Sequence, residues 1–207
     1  MAKKVSPPEQ QQNKLPGLTS RQIRARTTKK QIFDIAITLI KKQGYAKTAI
    51  KDICRKASVS IGTFYYYYQG KQAIVNELYL RADQFLKDHF NSWVVSSNPV
   101  ERVKEYLALY IHFVGLEGVD IVLNIYYPSN HLFLYENRYM ITRLEDLIRE
   151  GQEEGSISRK FTPQGWMRYI ITVLRGVAFD WALRSGEYNI EESAQAHIEC
   201  LADYLRS

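Results

Sequence analysis

The stretch Ile32–Leu78, IFDIAITLIKKQGYAKTAIKDICRKASVSIGTFYYYYQGKQAIVNEL, decides the fold. Ile32, Ile35, Ala36, Leu39 and Ile40 recur at helical spacing, and Gly44 stands where a helix C-terminus is capped. Thr48 is placed to cap a second, short helix that carries Ile50, Ile53, Cys54 and Ala57 on one face. Ser58-Val59-Ser60 makes a tight connection into a third segment, Ile61–Tyr68, and Gln69-Gly70 breaks the chain again. Two short helices joined by a tight turn form a helix-turn-helix, whose second helix is shaped to enter the major groove of DNA.

The third segment carries the chemistry. At about 100° per residue, Ile61, Phe64, Tyr65 and Tyr68 share one face, while Gly62, Thr63, Tyr66 and Tyr67 share the other. The first face is expected to pack on the two preceding helices. On the second, Thr63 has a hydroxyl for either base type and a methyl for thymine, and Gly62 permits close approach to the duplex. Tyr67 offers a phenolic O–H to a phosphate, and Lys71 supplies a cation at the start of the next helix. Thr48 and Lys51 flank the same groove from the second helix, near an N-terminus that favours phosphate. Four consecutive tyrosines also fit a buried aromatic helix. Tyr65 and Tyr68 are therefore assigned to the interior, Tyr66 and Tyr67 to DNA.

Working outward, a long helix runs from about Lys71 toward Val95. Asn98-Pro99 and Thr162-Pro163 each read as a cap followed by a proline in the first turn. The first opens a helix to about Leu116, and the second opens one to Ser185-Gly186. A shorter helix covers Val119–Tyr126 and ends before Pro128; another spans Tyr135–Glu154 and is closed by Gly155. Asn189 with Glu192 has capping-box spacing and opens a last helix toward Leu205. The reading is an all-α protein of about nine helices. It divides into a flexible basic arm (1–25), a helix-turn-helix domain (26–70) and a helical body (71–207).

Charge follows the same division. Residues 1–71 hold fifteen Lys and Arg against three acids, a net +12, whereas 72–207 hold thirteen against nineteen, a net −6. A basic head on an acidic body fits a protein that meets a polyanion at one end. Cys54 and Cys200 sit in helical patterns without metal-knuckle spacing and read as small core residues in a reducing compartment. No apolar run approaches the roughly 18–20 residues of a membrane span, and the N-terminus lacks a secretory pattern. The expectation is a cytoplasmic protein with no membrane partner, no metal and no cofactor.

The quoted stretch resembles the N-terminal domain of the TetR family of transcriptional regulators. Gly44-Tyr45, Thr48, Ile53, Ala57, Val59-Ser60, Gly62-Thr63, Tyr65, Tyr67-Tyr68 and Lys71 fall at the family's spacing, over about residues 26–80. The resemblance implies base contacts from Ser60, Gly62, Thr63 and Tyr66, and phosphate contacts from Thr48, Tyr67 and Lys71. Tyr68 stands where the family usually has phenylalanine. Ile61 occupies a position that is often polar or basic, so alignment turns it toward DNA where helical spacing turns it inward, and the two readings stay open. Lys14, Arg21, Arg24 and Arg26 form an arm that either reaches the minor groove or adds only general attraction.

The resemblance further implies a homodimer on a palindromic double-stranded operator, formed through the helices Pro163–Ser185 and Ile190–Leu205. Gly176 and Ala178 would permit close approach there, with Ile198, Leu201 and Leu205 as the apolar stripe. It implies a repressor released by an unidentified small apolar or aromatic effector, with an activator or a regulator lacking such an effector as the alternative. Candidate effector contacts are Tyr106, Tyr110, Phe113, Tyr126, Tyr127, Trp166 and Tyr169, with Trp181 on the same helix as the last two. His112, Asn124, Arg175 and Asp180 are possible polar anchors. Such aromatic stripes equally suit a plain core. An enzyme is disfavoured: His89, His112, His131 and His197 are scattered, and no HExxH, nucleophile elbow or phosphate loop is present. A non-specific architectural DNA binder is disfavoured by the acidic body.

Overall fold

The computed structural model describes residues 19–126, 130–134 and 137–206. Among them stand nine α-helices, one 3-10 turn and no strand, so the all-α reading holds. The helix-turn-helix head comprises α1 (Ser20–Gln43), α2 (Ile50–Lys56) and α3 (Ile61–Tyr67). The body comprises α4 (Lys71–Trp93), α5 (Pro99–Glu117), α6 (Val119–Ile125), the 3-10 turn His131–Leu134, α7 (Tyr139–Glu153), α8 (Pro163–Leu183) and α9 (Ile190–Arg206).

The proline-led starts form as the sequence implies. Asn98 Oδ1 accepts from the N–H groups of Val100 and Glu101, and Thr162 Oγ1 accepts from Gly165 N at 3.1 Å. Asn189 Oδ1 accepts from Glu191 N at 2.9 Å. Two boundaries differ. Helix α1 begins at Ser20, so residues 20–25 are helical rather than part of the arm. Thr19 and Gln22 cap each other reciprocally there, and Arg21, Arg24 and Arg26 lie exposed along the first turns. Helix α7 begins at Tyr139 rather than Tyr135, which lies outside the described residues together with Lys14, Tyr127 and Pro128. Its start is set from α4: Asp83 accepts from Met140 N through Oδ1 and pairs with Arg138 Nε through Oδ2, both at 3.0 Å.

Helix α5 is the axle of the body. Val103, Tyr106, Leu107, Leu109, Tyr110 and Ile111 are buried on several sides of it because α4, α7 and α9 all pack against it. No single described helix is long and apolar enough to cross a membrane, and α5 and α6 meet at a bend of 104°. The apolar stripe expected at a dimer interface is spent inside the chain. Ala178, Ile198, Leu201 and Leu205 are all buried, with α9 lying against α5.

The head closes over Phe64, which is fully buried with Ile32, Ala36 and Ile53. Tyr68 is buried beside it, as expected, and its hydroxyl donates to Glu77 Oε2 at 3.1 Å. Glu77 also pairs with Lys29 of α1 at 2.9 Å and Arg81 at 2.6 Å, so one carboxylate ties α1, α3 and α4 together. Burial alone would raise the Glu77 carboxyl. The hydrogen bonds from Lys29, Arg81 and Tyr68 outweigh it and hold the group below the ordinary carboxylate range. Its stabilisation is therefore complete above the unfolded carboxylate range and is lost as pH falls through the lowered folded value. Glu77→Gln is expected to cost about 1–3 kcal/mol at neutral pH. In paired melts, the gap from wild type should close on acidification below about pH 4.

Candidate DNA interface and effector cavity

Helix α3 is presented by a turn that closes on itself. Ser58 takes a left-handed conformation (φ 51°) just past α2, and Val59 N–H reaches back to Cys54 O at 3.0 Å. Ser60 then caps α3: its Oγ accepts from Thr63 N at 3.0 Å and lies 2.9 Å from Thr63 Oγ1. The two hydroxyls expected at bases thus form one cluster at the exposed N-terminal end of α3. A Cβ at Gly62 would meet only Ser60 Oγ, at 3.7 Å, so nothing inside the chain requires glycine there. Lys51 is exposed on the adjoining α2.

The tyrosine run divides differently from the helical wheel. Tyr66 is 79% exposed and Tyr68 is buried, as read from spacing. Tyr65, assigned to the interior, is 53% exposed, and Tyr67, assigned to phosphate, is half-buried with its ring edge-on to Tyr66 at 4.9 Å. A seven-residue helix meets the head along a narrow line, so only the Phe64 and Tyr68 positions are enclosed. Ile61 is 55% exposed, on the outward side.

Two expected phosphate ligands are engaged elsewhere. Thr48 is fully buried, its hydroxyl donates to Gly44 O at 2.8 Å, and Ala49 rather than Thr48 stands at the N-cap of α2. Lys71 donates to Tyr45 O at 2.6 Å, sits 4.3 Å from the centre of that ring, and has its pKa lowered by burial. Arg21, Arg24 and Arg26 are exposed side chains of a helix rather than of an extended arm. That helix is roughly 10 Å across and the minor groove about 6 Å wide, so side chains alone could enter it from there.

In the body, Tyr110, Phe113 and Tyr126 converge on one apolar cavity of about 30 Å³, joined by Tyr79, Ile121, Val122, Ile125 and Phe133. Burial pushes the Tyr110 hydroxyl up to about 12 and that of Tyr126 up as well. Three aromatic candidates lie elsewhere. Tyr106 is buried with its hydroxyl on Met140 O. Trp166 is buried with its Nε1 on Ser158 O, and Tyr169 is exposed against Trp166 and Tyr204. Tyr127 lies outside the described residues. Trp181 donates to Tyr188 O, His112 pairs with Glu191 at 2.9 Å, and Asp180 binds Arg184 and Tyr188, all of them internal contacts.

Several functional candidates carry no local sequence signal. Lys41 of α1 bonds both Glu117 Oε2 (3.0 Å) and Leu116 O (2.9 Å) at the end of α5. Asp120 of α6 accepts from Tyr45 N at 3.2 Å, and Gln72 donates to Asn124 O at 2.7 Å. Gly44 (φ 86°) lets the chain turn there, with a Cβ position only 3.5 Å from Asp120 Oδ1. The corner between α5 and α6 therefore holds the head, and Glu117, Ile121, Val122 and Ile125 of that corner also line the cavity.

A capped helix-turn-helix on an all-helical body defines a DNA-binding regulator. Residues 32–78 match the model for bacterial regulatory proteins of the tetR family. The fatty acid metabolism regulator protein of Bacillus subtilis is 24% identical over 190 residues, covering 86% of this chain and 95% of its own. The HTH-type transcriptional repressor KstR2 of Rhodococcus jostii is 23% identical, covering 86% and 90%. Among solved structures, Thermus thermophilus FadR in complex with lauroyl-CoA superposes with a TM-score of 0.66 at 21% identity, covering 86% of this chain and 94% of that one. Bacillus subtilis FadR in complex with stearoyl-CoA gives 0.65 at 18%, covering 84% and 98%. Residues 32–78 thus carry the DNA-binding domain of bacterial regulatory proteins of the tetR family, and over most of its length the chain is similar to curated transcriptional repressors.

The placement of Thr48 and Lys51 separates two effects on DNA affinity. Thr48→Val should lower the melting temperature through a lost buried hydrogen bond, about 1 kcal/mol, and leave the salt dependence of DNA binding unchanged. Lys51→Ala should leave the melting temperature unchanged and reduce the slope of log K against log salt by about one.

Proposed function

We propose that the protein is a homodimeric repressor that reads a palindromic operator with α3 and is released by a small apolar molecule entering the body. Ser60, Gly62, Thr63 and Tyr66 face bases in this reading, with Ile61 adding an apolar contact. Lys51 holds phosphate, and Tyr67 acts through its ring contact with Tyr66. The head comprises residues 20–70 and the effector and dimer body 71–207. The partner copy meets the outer face of α8 and α9, where Tyr169, Gly176 and Leu183 are exposed. A Cβ at Gly176 would meet nothing within 4 Å, which leaves room for a second chain to approach closely.

The observation that carries the effector reading is the double use of the α5–α6 corner. A cavity of about 30 Å³ is far below the several hundred Å³ of a ligand pocket. An effector must therefore push walls apart, and Ile121, Val122 and Ile125 of α6 are among those walls. Asp120 on the same helix holds the Tyr45 amide of the head, and Asn124 holds Gln72 of α4, which accepts from the Tyr45 hydroxyl, so displacing α6 loads the contacts that orient the head. The acyl-CoA complexes of the two FadR structures support an apolar chain as the occupant.

Selection of genomic fragments with the full-length protein should return an inverted repeat, one half-site per head. Gly62→Ala should leave the fold as stable as wild type while weakening the selected site by about tenfold or more, or 1.4 kcal/mol. Recovery of only salt-sensitive, sequence-independent binding would overturn the reading. Lys41→Met removes a link between head and corner. It should leave operator affinity within about threefold and cut effector-induced release, a coupling of the order of 1–3 kcal/mol in allosteric proteins.

A further inference from the structure

Beside the apolar cavity lies a positive charge with no carboxylate partner among the described residues. Arg175 of α8 donates to Phe133 O at 3.3 Å and stands over the Phe133 ring at 4.7 Å. Its charge acts on the nearby Tyr79, Tyr110 and Tyr126 hydroxyls. Its Nε is buried and has no hydrogen-bond partner. Across Tyr79 lies a second guanidinium, Arg138, whose side chain is 5% exposed; it is 4.1 Å from the Tyr79 ring centre, and its Nη1 is likewise buried and unpartnered. Asp83 pairs with Arg138, and no ion pair joins Arg175 to a carboxylate among the described residues. Arg175 is half-buried with its Nε enclosed, and a guanidinium keeps its proton, so the space beside it suits an anion.

The surrounding space has two compartments. Inside is the apolar cavity; outside is a pocket of about 230 Å³ lined by Ile141, Met167, Ile171, Thr172, Arg168 and Arg175. Phe133 borders both, its ring packed on Tyr79 and Tyr126 at 5.0 Å each. The ring is thus the partition between them, and it is held to Arg175 through its own carbonyl. With the ring swung aside, the merged space approaches the roughly 300 Å³ at which small-molecule sites begin.

We infer that Arg175 is the anion anchor of the effector site. It receives the carboxylate or phosphate head of an anionic amphiphile in the outer pocket, while the apolar tail displaces Phe133 and enters the inner cavity. This rests on the effector reading above and names the chemical class of the effector. An anion on Arg175 competes with Phe133 O for the same donors, so binding the head and opening the partition are one event.

The test is titration calorimetry of the full-length protein with decanoate, decyl phosphate and decan-1-ol, which share a tail and differ in the head. Wild type should bind at least one of the two anions about tenfold or more tighter than the alcohol, and the preferred anion tells carboxylate from phosphate. Arg175→Gln should lower the preferred anion to the level of the alcohol without changing alcohol affinity, and Arg175→Lys should restore part of the preference. Phe133→Ala should tighten all three together. Equal binding of anions and alcohol by wild type, or an undiminished anion preference in Arg175→Gln, overturns the anchor while leaving an apolar effector site in place. No binding of any of the three by wild type and Phe133→Ala overturns both readings.

Discussion

A seven-residue helix does not persist alone in water, because nucleating it costs more than so few hydrogen bonds return. Helix α3 exists because Phe64 is fully enclosed by α1 and α2, and because Tyr68, at its end, is buried and bonded to Glu77. Everything on the outer face of α3 depends on that enclosure. The Ser60–Thr63 hydroxyl pair, the bare Gly62 and the exposed Tyr66 ring are aimed outward because the opposite face is anchored. The anchor reaches into the body as well, since Glu77 lies on α4 and pairs with Lys29 on α1. The head is therefore oriented by the body as well as tethered to it.

The body uses polar groups sparingly and at places where elements meet. Asp83 caps α7 and pairs with Arg138, Asp120 receives the Tyr45 amide, and Glu117 takes Lys41. Each fixes one helix relative to another, as directional bonds in an otherwise apolar core must. The exception is Arg175, which is bonded to a carbonyl but to no carboxylate among the described residues. Its position between an inner apolar cavity and an outer pocket sets it apart from the structural pairs around it.

The departures from the sequence reading share a cause. Helical spacing assigns faces as though one partner surface spanned the helix, so it buries Tyr65; the actual partner is narrow, and Tyr65 stays exposed. Thr48 looks like a cap by residue type, but the chain bends so that its hydroxyl meets Gly44 O and Ala49 takes the cap position. Aromatic spacing on α5 and α8 marked Tyr106, Tyr110, Trp166 and Tyr169 alike. Only the packing of α4, α6 and the turn at Phe133 against them selects Tyr110 for the cavity.

By itself the sequence determined the all-helical class, most helix boundaries and the helix-turn-helix, because caps, prolines and apolar periodicity act within a few residues of one another. It also determined the division into a basic head and an acidic body. The tertiary structure decided which tyrosines are free, which lysine is already engaged, and where head and body are coupled. Lys41 with Glu117, Tyr45 with Asp120 and Arg175 with Phe133 lie 76, 75 and 42 residues apart, and no local pattern links them. Such contacts form only when independently specified helices are packed together.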